Sequence, residues 1–239
     1  MSGHSHYAGI KHKKEATDAQ RGKAFSRLAK ELTIAARGGN NPETNSKLRV
    51  VVEKAKSINM PKDNVERAIN KGSGNLDGVI LEEFLVEGYG PGGVAILVDG
   101  ITDNKNRTIN EIKQALAQHG GKFVESGSIK WMFEQKGVIV VPIDESTKKE
   151  DIELKAIEAG AEDLSWKEDS LLIFVDTPLM ETVKSNLLEK GIETDSANME
   201  WIPKEAINVA EKDREACERL FDILSDNDSV NDVYSNISD

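Results

Sequence analysis

An α+β fold is expected for this 239-residue chain: an N-terminal three-helix bundle followed by two ferredoxin-like α+β domains, one inserted in the other. Three observations predict it. Apolar residues recur at spacings of three and four through residues 18–69, the period of amphipathic helices. After Gly137 the pattern runs strand, helix, strand, strand, helix, strand. The stretch 94–133 carries only the first four members of that series, and the tail beyond residue 203 supplies the missing helix and strand. The domains read as 1–75, 79–136 plus 204–239, and the inserted 137–203.

The first helix is expected over 18–36, with Ala24, Phe25, Leu28, Ala29, Leu32 and Ala36 on one stripe. Gly38, Gly39 and Pro42 end it, because glycine accepts a left-handed cap and proline blocks continuation. The second begins near Pro42 or Asn45 and runs to Ser57, burying Leu48, Val51, Val52 and Ala55. The third follows Met60-Pro61, with Pro61 suited to a first turn where its missing N–H costs nothing. Val65, Ala68 and Ile69 are its stripe, and Lys71-Gly72-Ser73-Gly74 stops it.

A linker then leads to 79–88 and the turn Tyr89-Gly90-Pro91-Gly92-Gly93 before a strand at 94–98. The glycines precede a strand and not a helix, and no G-x-x-x-x-G-K-[ST] is present, so a nucleotide phosphate has no helix N-terminus to meet. Asp103 to Thr108 open a helix bearing Ile109, Ile112 and Leu116, ended by Gly120-Gly121, with strands at 122–125 and 128–133. The inserted unit reads as strand 138–141, helix 146–158, strands 161–166 and 171–175, helix 179–190 and extended 192–202. A helix over 204–224 and a strand over 230–234 complete the tail. Each sheet is expected to have one face covered by helices. Trp131, Trp166 and Trp201 fall on expected strands as core or domain-contact residues.

Charge divides along the same lines. The whole chain has 31 Lys+Arg and 42 Asp+Glu, a net of −11. Residues 1–75 hold 15 Lys/Arg and 7 Asp/Glu, a net of +8, and residues 76–239 hold 16 and 35, a net of −19. Such asymmetry implies separate surfaces with separate tasks. A basic module attracts phosphates locally while the acidic remainder limits non-specific binding. The other use of a basic surface is docking on the acidic part of its own chain. The candidates are Lys11, His12, Lys13 and Lys14 on a leading arm; Arg21, Lys23, Arg27 and Lys30 on the first helix; Arg49 and Lys54 on the second; and Lys62 and Arg67 on the third. Lys105 and Arg107 form a second basic knuckle, whose plain reading is a capped helix start and a solvated turn.

Other chemistries find little support. Cys217 is the single cysteine, which excludes an internal disulfide framework and a cysteine-clustered zinc site. It lies between Glu215 and Glu218, where its pKa is expected to rise and its reactivity to fall. His4, His6 and His12 have only Glu15 and Asp18 nearby and read as a polar tail. His119 sits at a helix end beside glycines. No G-x-S-x-G or H-E-x-x-H occurs, so neither an enzyme nor a cofactor is expected. The start lacks the apolar core of a signal peptide and no run of about 18 apolar residues occurs. A cytoplasmic protein with no membrane partner is expected.

Several runs are specific together. Gly3-His4-Ser5, Ile10-Lys11-His12-Lys13-Lys14, Asn59-Met60-Pro61-Lys62-Asp63-Asn64, Glu87-Gly88-Tyr89-Gly90-Pro91-Gly92-Gly93, Thr102 to Thr108, His119-Gly120-Gly121 and Gly127-Ser128 resemble the YebC/PmpR family over nearly the whole chain. That resemblance implies a three-helix domain followed by two α+β domains and no enzymatic activity. It implies a probable DNA-binding transcriptional regulator; other members, including a mitochondrial translational activator, are linked to the ribosome and to translation of difficult sequences such as proline runs. The implied partner is therefore DNA, or ribosomal RNA or tRNA. The family often has Lys and Trp where this chain has His6 and Tyr7. His6 is mostly neutral near pH 7, so the arm carries less charge, while Tyr7 keeps a stacking ring.

Overall fold

The computed structural model describes residues 18–74, 80–144 and 148–238. Its regular elements are α1 (Asp18–Ala35), α2 (Ser46–Ser57), α3 (Lys62–Gly72), β1 (Glu82–Tyr89), β2 (Ala95–Thr102), α4 (Lys105–Gln118), β3 (Lys122–Val124), β4 (Phe133–Pro142), α5 (Lys149–Ala159), β5 (Asp163–Trp166), β6 (Ser170–Asp176), α6 (Met180–Glu189), β7 (Ser196–Pro203), α7 (Glu211–Ser225) and β8 (Val230–Ser235). The chain forms two compact units, one from 18–128 with 209–233 and the other from 129–208 with 234–238.

In the first unit, Asn45 joins the end of α1 to the start of α2. Its Oδ1 accepts the Leu48 N–H at 3.1 Å, and its Nδ2 donates to the Ala35 and Gly39 carbonyls at 2.8 Å each. The side chain thus supplies a helix cap and a loop clamp together. Pro61 stands just before α3 in extended backbone (φ −56°, ψ 136°). The helices share Leu28, Leu32, Ala36, Leu48, Ala55, Met60 and Ala68 as a core, with Phe25, Val51, Val52, Val65 and Ile69 packed around it. Burial of each such leucine contributes roughly 1.5–3 kcal/mol. Gly72 lies inside α3 rather than beyond it. A Cβ there would stand 2.1 Å from the Thr33 carbonyl oxygen, so glycine is what lets α3 reach α1. The Thr33 hydroxyl spans the same contact, 3.2 Å from the Ala68 carbonyl oxygen.

The sheet of this unit has the order β3-β1-β2-β8. β1 and β2 pair antiparallel from Glu82↔Thr102 to Tyr89↔Ala95. The turn between them needs Gly92 and Gly93 at φ 67° and 78°, where a side chain is disfavoured. The sheet therefore begins with β1, giving the order β-β-α-β-α-β. The strand expected at 128–133 is not formed. Lys130–Met132 is a 3₁₀ turn, and Phe133 already begins β4 of the other sheet. The helix expected over 204–224 starts at Glu211 instead. Residues before it spend their backbone groups on the chain end: the Ile207 N–H donates to the Asn236 carbonyl at 2.7 Å, and the Ser238 N–H to the Ile207 carbonyl at 2.9 Å.

The second unit runs β4-α5-β5-β6-α6-β7, with sheet order β5-β6-β4-β7 and all neighbours antiparallel. Ile139, Val141, Leu171, Ile173 and Val175 pack against Ala156, Ala159, Met180, Val183 and Leu187 of α5 and α6. Val138, Val140, Leu172, Phe174 and Ile202 form a second buried cluster from the alternate positions. Helices cover one face, as expected, and the opposite face is buried as well. Residues alternate between faces along a strand, so Val138–Val141 and Leu171–Val175 read as unbroken apolar runs because both parities are buried.

Candidate nucleic-acid interface

The cations of α1 divide by face. Lys23, Arg27 and Lys30 are spaced by four and three residues, which places them on one stripe opposite Leu28 and Leu32. That stripe meets the turn between α7 and β8. Lys23 Nζ lies 2.9 Å from Asp226 Oδ1. Arg27, only 6% exposed, donates from Nη2 to the Ser225 carbonyl and at 3.4 Å to the Asn227 carbonyl. Lys30 donates to the Asp228 carbonyl at 2.8 Å and the Ile101 carbonyl at 3.3 Å. Burial lowers the pKa of Lys30, while Asp228 and Asp103 nearby act to raise it. These three cations are hydrogen-bonded within the molecule, the self-docking use of a basic surface. What the sequence did not reveal was their acceptor, the Ser225-Asp226-Asn227-Asp228 turn about 200 residues away. The available signal was the four-and-three spacing itself, which marks a contact face as readily as a solvated one.

Lys54 is similarly engaged. Its Nζ is 3.1 Å from Glu31 Oε2, with side-chain exposures of 26% and 18%. Burial by itself would lower the Lys54 pKa, but the carboxylates of Glu31, Asp232 and Asp99 outweigh it and hold the ammonium above its usual range. Asp99 Oδ1 accepts the Asp232 N–H at 3.0 Å. Its carboxyl is pushed well up, first by burial and then by Asp232.

At the knuckle, Asn104 caps α4 by accepting the Arg107 N–H at 3.1 Å, and the Thr102 and Thr108 hydroxyls meet at 2.7 Å. Arg107 lies 2.7 Å from Asp103 and 3.8 Å from Glu111, so its charge is largely answered locally. Lys62 faces Glu66 at 3.5 Å but remains 88% exposed, a geometry that contributes little. Arg21, Arg67 and Lys105 are exposed and Arg49 half-buried. None of these four makes an ion pair or side-chain hydrogen bond with another described residue. Lys11, His12, Lys13 and Lys14 lie outside the described residues, as do His4 and His6.

Cys217 is buried in α7 with Sγ 3.5 Å from the Pro91 carbonyl oxygen. Burial first, then Asp213 and Glu218, push its thiol up to about 11. The rise matches the expectation, although burial dominates over the acidic neighbours. Trp131 departs from it: it stands on the 3₁₀ turn, 67% exposed. No group of three His, Cys, Asp or Glu side chains among the described residues is placed to hold a metal ion. No described helix is long and apolar enough to cross a membrane.

The class these features define is an α+β protein with N-terminal helices and two β-sheet-containing domains. The TACO1/YebC N-terminal domain matches residues 5–75, and the TACO1/YebC second and third domain matches residues 81–237. A probable transcriptional regulatory protein of Kosmotoga olearia is 48% identical over 237 residues, covering 99% of this chain and 94% of the relative. One from Halothermothrix orenii is 47% identical over 239 residues, with 99% and 94% covered. The crystal structure of a conserved hypothetical protein from Aquifex aeolicus superposes with a TM-score of 0.90 at 42% identity, covering 98% of this chain and 97% of that one. The chain belongs to the TACO1/YebC family.

Proposed function

We propose that this protein is a non-enzymatic, nucleic-acid-binding regulator that acts as a DNA-binding transcriptional regulatory protein. The observation that carries the reading is the set Arg21, Arg49 and Arg67, left without ion pairs among the described residues of a chain whose net charge is −11. Together with the arm Lys11, His12, Lys13 and Lys14, and with Lys62 and Lys105, they supply the cations that phosphate contact requires. Lys23, Arg27, Lys30, Lys54 and Arg107 support this surface by holding α1, α2 and the start of α4 in place. The relatives' names as probable transcriptional regulatory proteins support the same reading. In this reading the protein is cytoplasmic and has three domains, 1–75, 79–136 plus 204–239, and an inserted 137–203, the inserted one being ferredoxin-like.

One observation favours a second reading, a ribosome-associated factor acting on ribosomal RNA or tRNA to support elongation through proline runs and similar sequences. Arg21, Arg49, Arg67 and Lys105 are spread over four helices instead of lining one helix that enters a groove, which suits backbone contact more than base readout. Crosslinking in cells followed by sequencing of bound nucleic acid separates the two. Enriched promoter DNA without ribosomal RNA supports transcriptional regulation; dominant ribosomal RNA or tRNA supports the ribosomal reading. Charge reversal at Lys13, Arg21 and Arg49 should abolish the recovered signal, and an unchanged signal overturns the interface.

A further inference from the structure

We infer that the free edge of β7 is a strand-addition site for an extended cationic peptide segment of a partner protein. β7 is the eight-residue outer strand of its sheet. The Lys204 N–H donates to the Met132 carbonyl at 2.9 Å, in the β4–β7 register that pairs Phe133 with Pro203 and Val140 with Ser196. Antiparallel pairing alternates, so the even-numbered residues of β7 bond to β4 and the N–H and C=O groups of Ala197, Met199 and Trp201 point to the open side. No hydrogen bond from a described residue reaches them. A row of unpaired backbone groups is a template for another strand.

Ser196–Pro203 carries no lysine, the residue that most often protects an edge. Met199 is 50% exposed at its centre, and Trp131 is 67% exposed on the turn whose Met132 carbonyl holds Lys204. Lys130 lies 5.1 Å over the Trp201 ring at the same end. Charge selects the occupant. Residues 129–208 carry 18 Asp/Glu against 9 Lys/Arg, and Asp195, Glu205 and Glu134 are exposed on or beside the strand. A second copy of this edge, or a nucleic-acid backbone, would add negative charge to negative charge. A peptide alternating cationic and β-branched residues meets the acidic surround with one set of side chains and Met199 with the other.

The test uses the full chain and a fluorescent octapeptide of alternating Lys and Val, read by anisotropy and by amide hydrogen exchange. The expected result is saturable binding with slowed exchange at the Met199 and Trp201 amides. Affinity should exceed that of the Glu-Val counterpart at least tenfold. N-methylation of alternate peptide amides, which removes strand pairing and keeps the charge, should cost at least tenfold. Met199→Pro removes an outward N–H and should do the same with circular dichroism unchanged; if that variant misfolds, the N-methylated peptide decides alone. Equal binding of the N-methylated peptide overturns the proposal. So does a concentration-dependent dimer that shields the same amides, or protection of those amides by single-stranded RNA instead of the peptide.

Discussion

Arg27→Ala separates a docking role from a phosphate-binding role. The side chain is 6% exposed and donates to the carbonyls of Ser225 and Asn227. Hydrogen bonds to charged groups contribute roughly 1.5–3 kcal/mol each, and truncation also strands the acceptors. Because the two bonds share one guanidinium nitrogen and one of them is long, about 3 kcal/mol is the expected loss for the unit built from 18–128 and 209–233. In a protein of this size that corresponds to a melting shift of roughly 6–12 °C. The assay is urea and thermal unfolding of the variant, paired with duplex-DNA binding well below its midpoint. Affinity there should fall less than about threefold, since Arg27 offers no accessible donor to a phosphate. Arg21→Ala should behave in the opposite way. Its stability should change by less than about 0.5 kcal/mol, while the salt slope of binding drops by about one counterion. An Arg27→Ala protein that melts normally and no longer binds nucleic acid would refute the reasoning.

Three other outcomes follow from the packing. Asp99 has a folded pKa raised above its unfolded value, so its unfavourable charge is absent at low pH and appears as pH rises through the folded pKa. Asp99→Asn keeps an acceptor for the Asp232 N–H, and urea titrations should show it stabilised over the parent more at pH 8 than at pH 4; an equal gain at both would sink the linkage. Cys217, held up to about 11, should react with a disulfide reagent at pH 8 only as fast as the protein opens, measured by rate against urea. Gly72→Val would drive side-chain atoms into the Thr33 carbonyl and the Ala36 Cβ, which even an added Cβ would approach to 2.1 and 2.8 Å. That variant should lose about 3 kcal/mol, read by urea unfolding, whereas Gly74→Ala at an exposed turn should lose clearly less.

Much of the architecture was legible because its signals are local. Pro61 announces a helix start, and the spacing of four between Leu28, Leu32 and Ala36 a buried stripe, each within one or two turns of chain. The errors fall where local pattern meets distant competition. Residues 128–133 have strand-like composition, yet Phe133 pairs with Pro203 and the preceding turn is spent reaching that register. Residues 204–210 suit a helix, but Ile207 finds backbone partners in Asn236 and Ser238 at the far end of the chain.

The cations show the same division. By itself the sequence determined that positive charge concentrates in residues 1–75, that it lies off the apolar stripes, and that an α+β body with a −19 balance follows. Tertiary structure alone decided which cations are spent. Lys23, Arg27 and Lys30 meet the turn after α7, Lys54 meets Glu31, and Arg21, Arg49 and Arg67 remain unpaired with described residues. The reason is physical. Charge and periodicity belong to residue identity and order, whereas a lysine's partner depends on which acidic or carbonyl oxygen the fold carries to within about 3 Å, and electrostatic attraction acts across space without regard to separation along the chain.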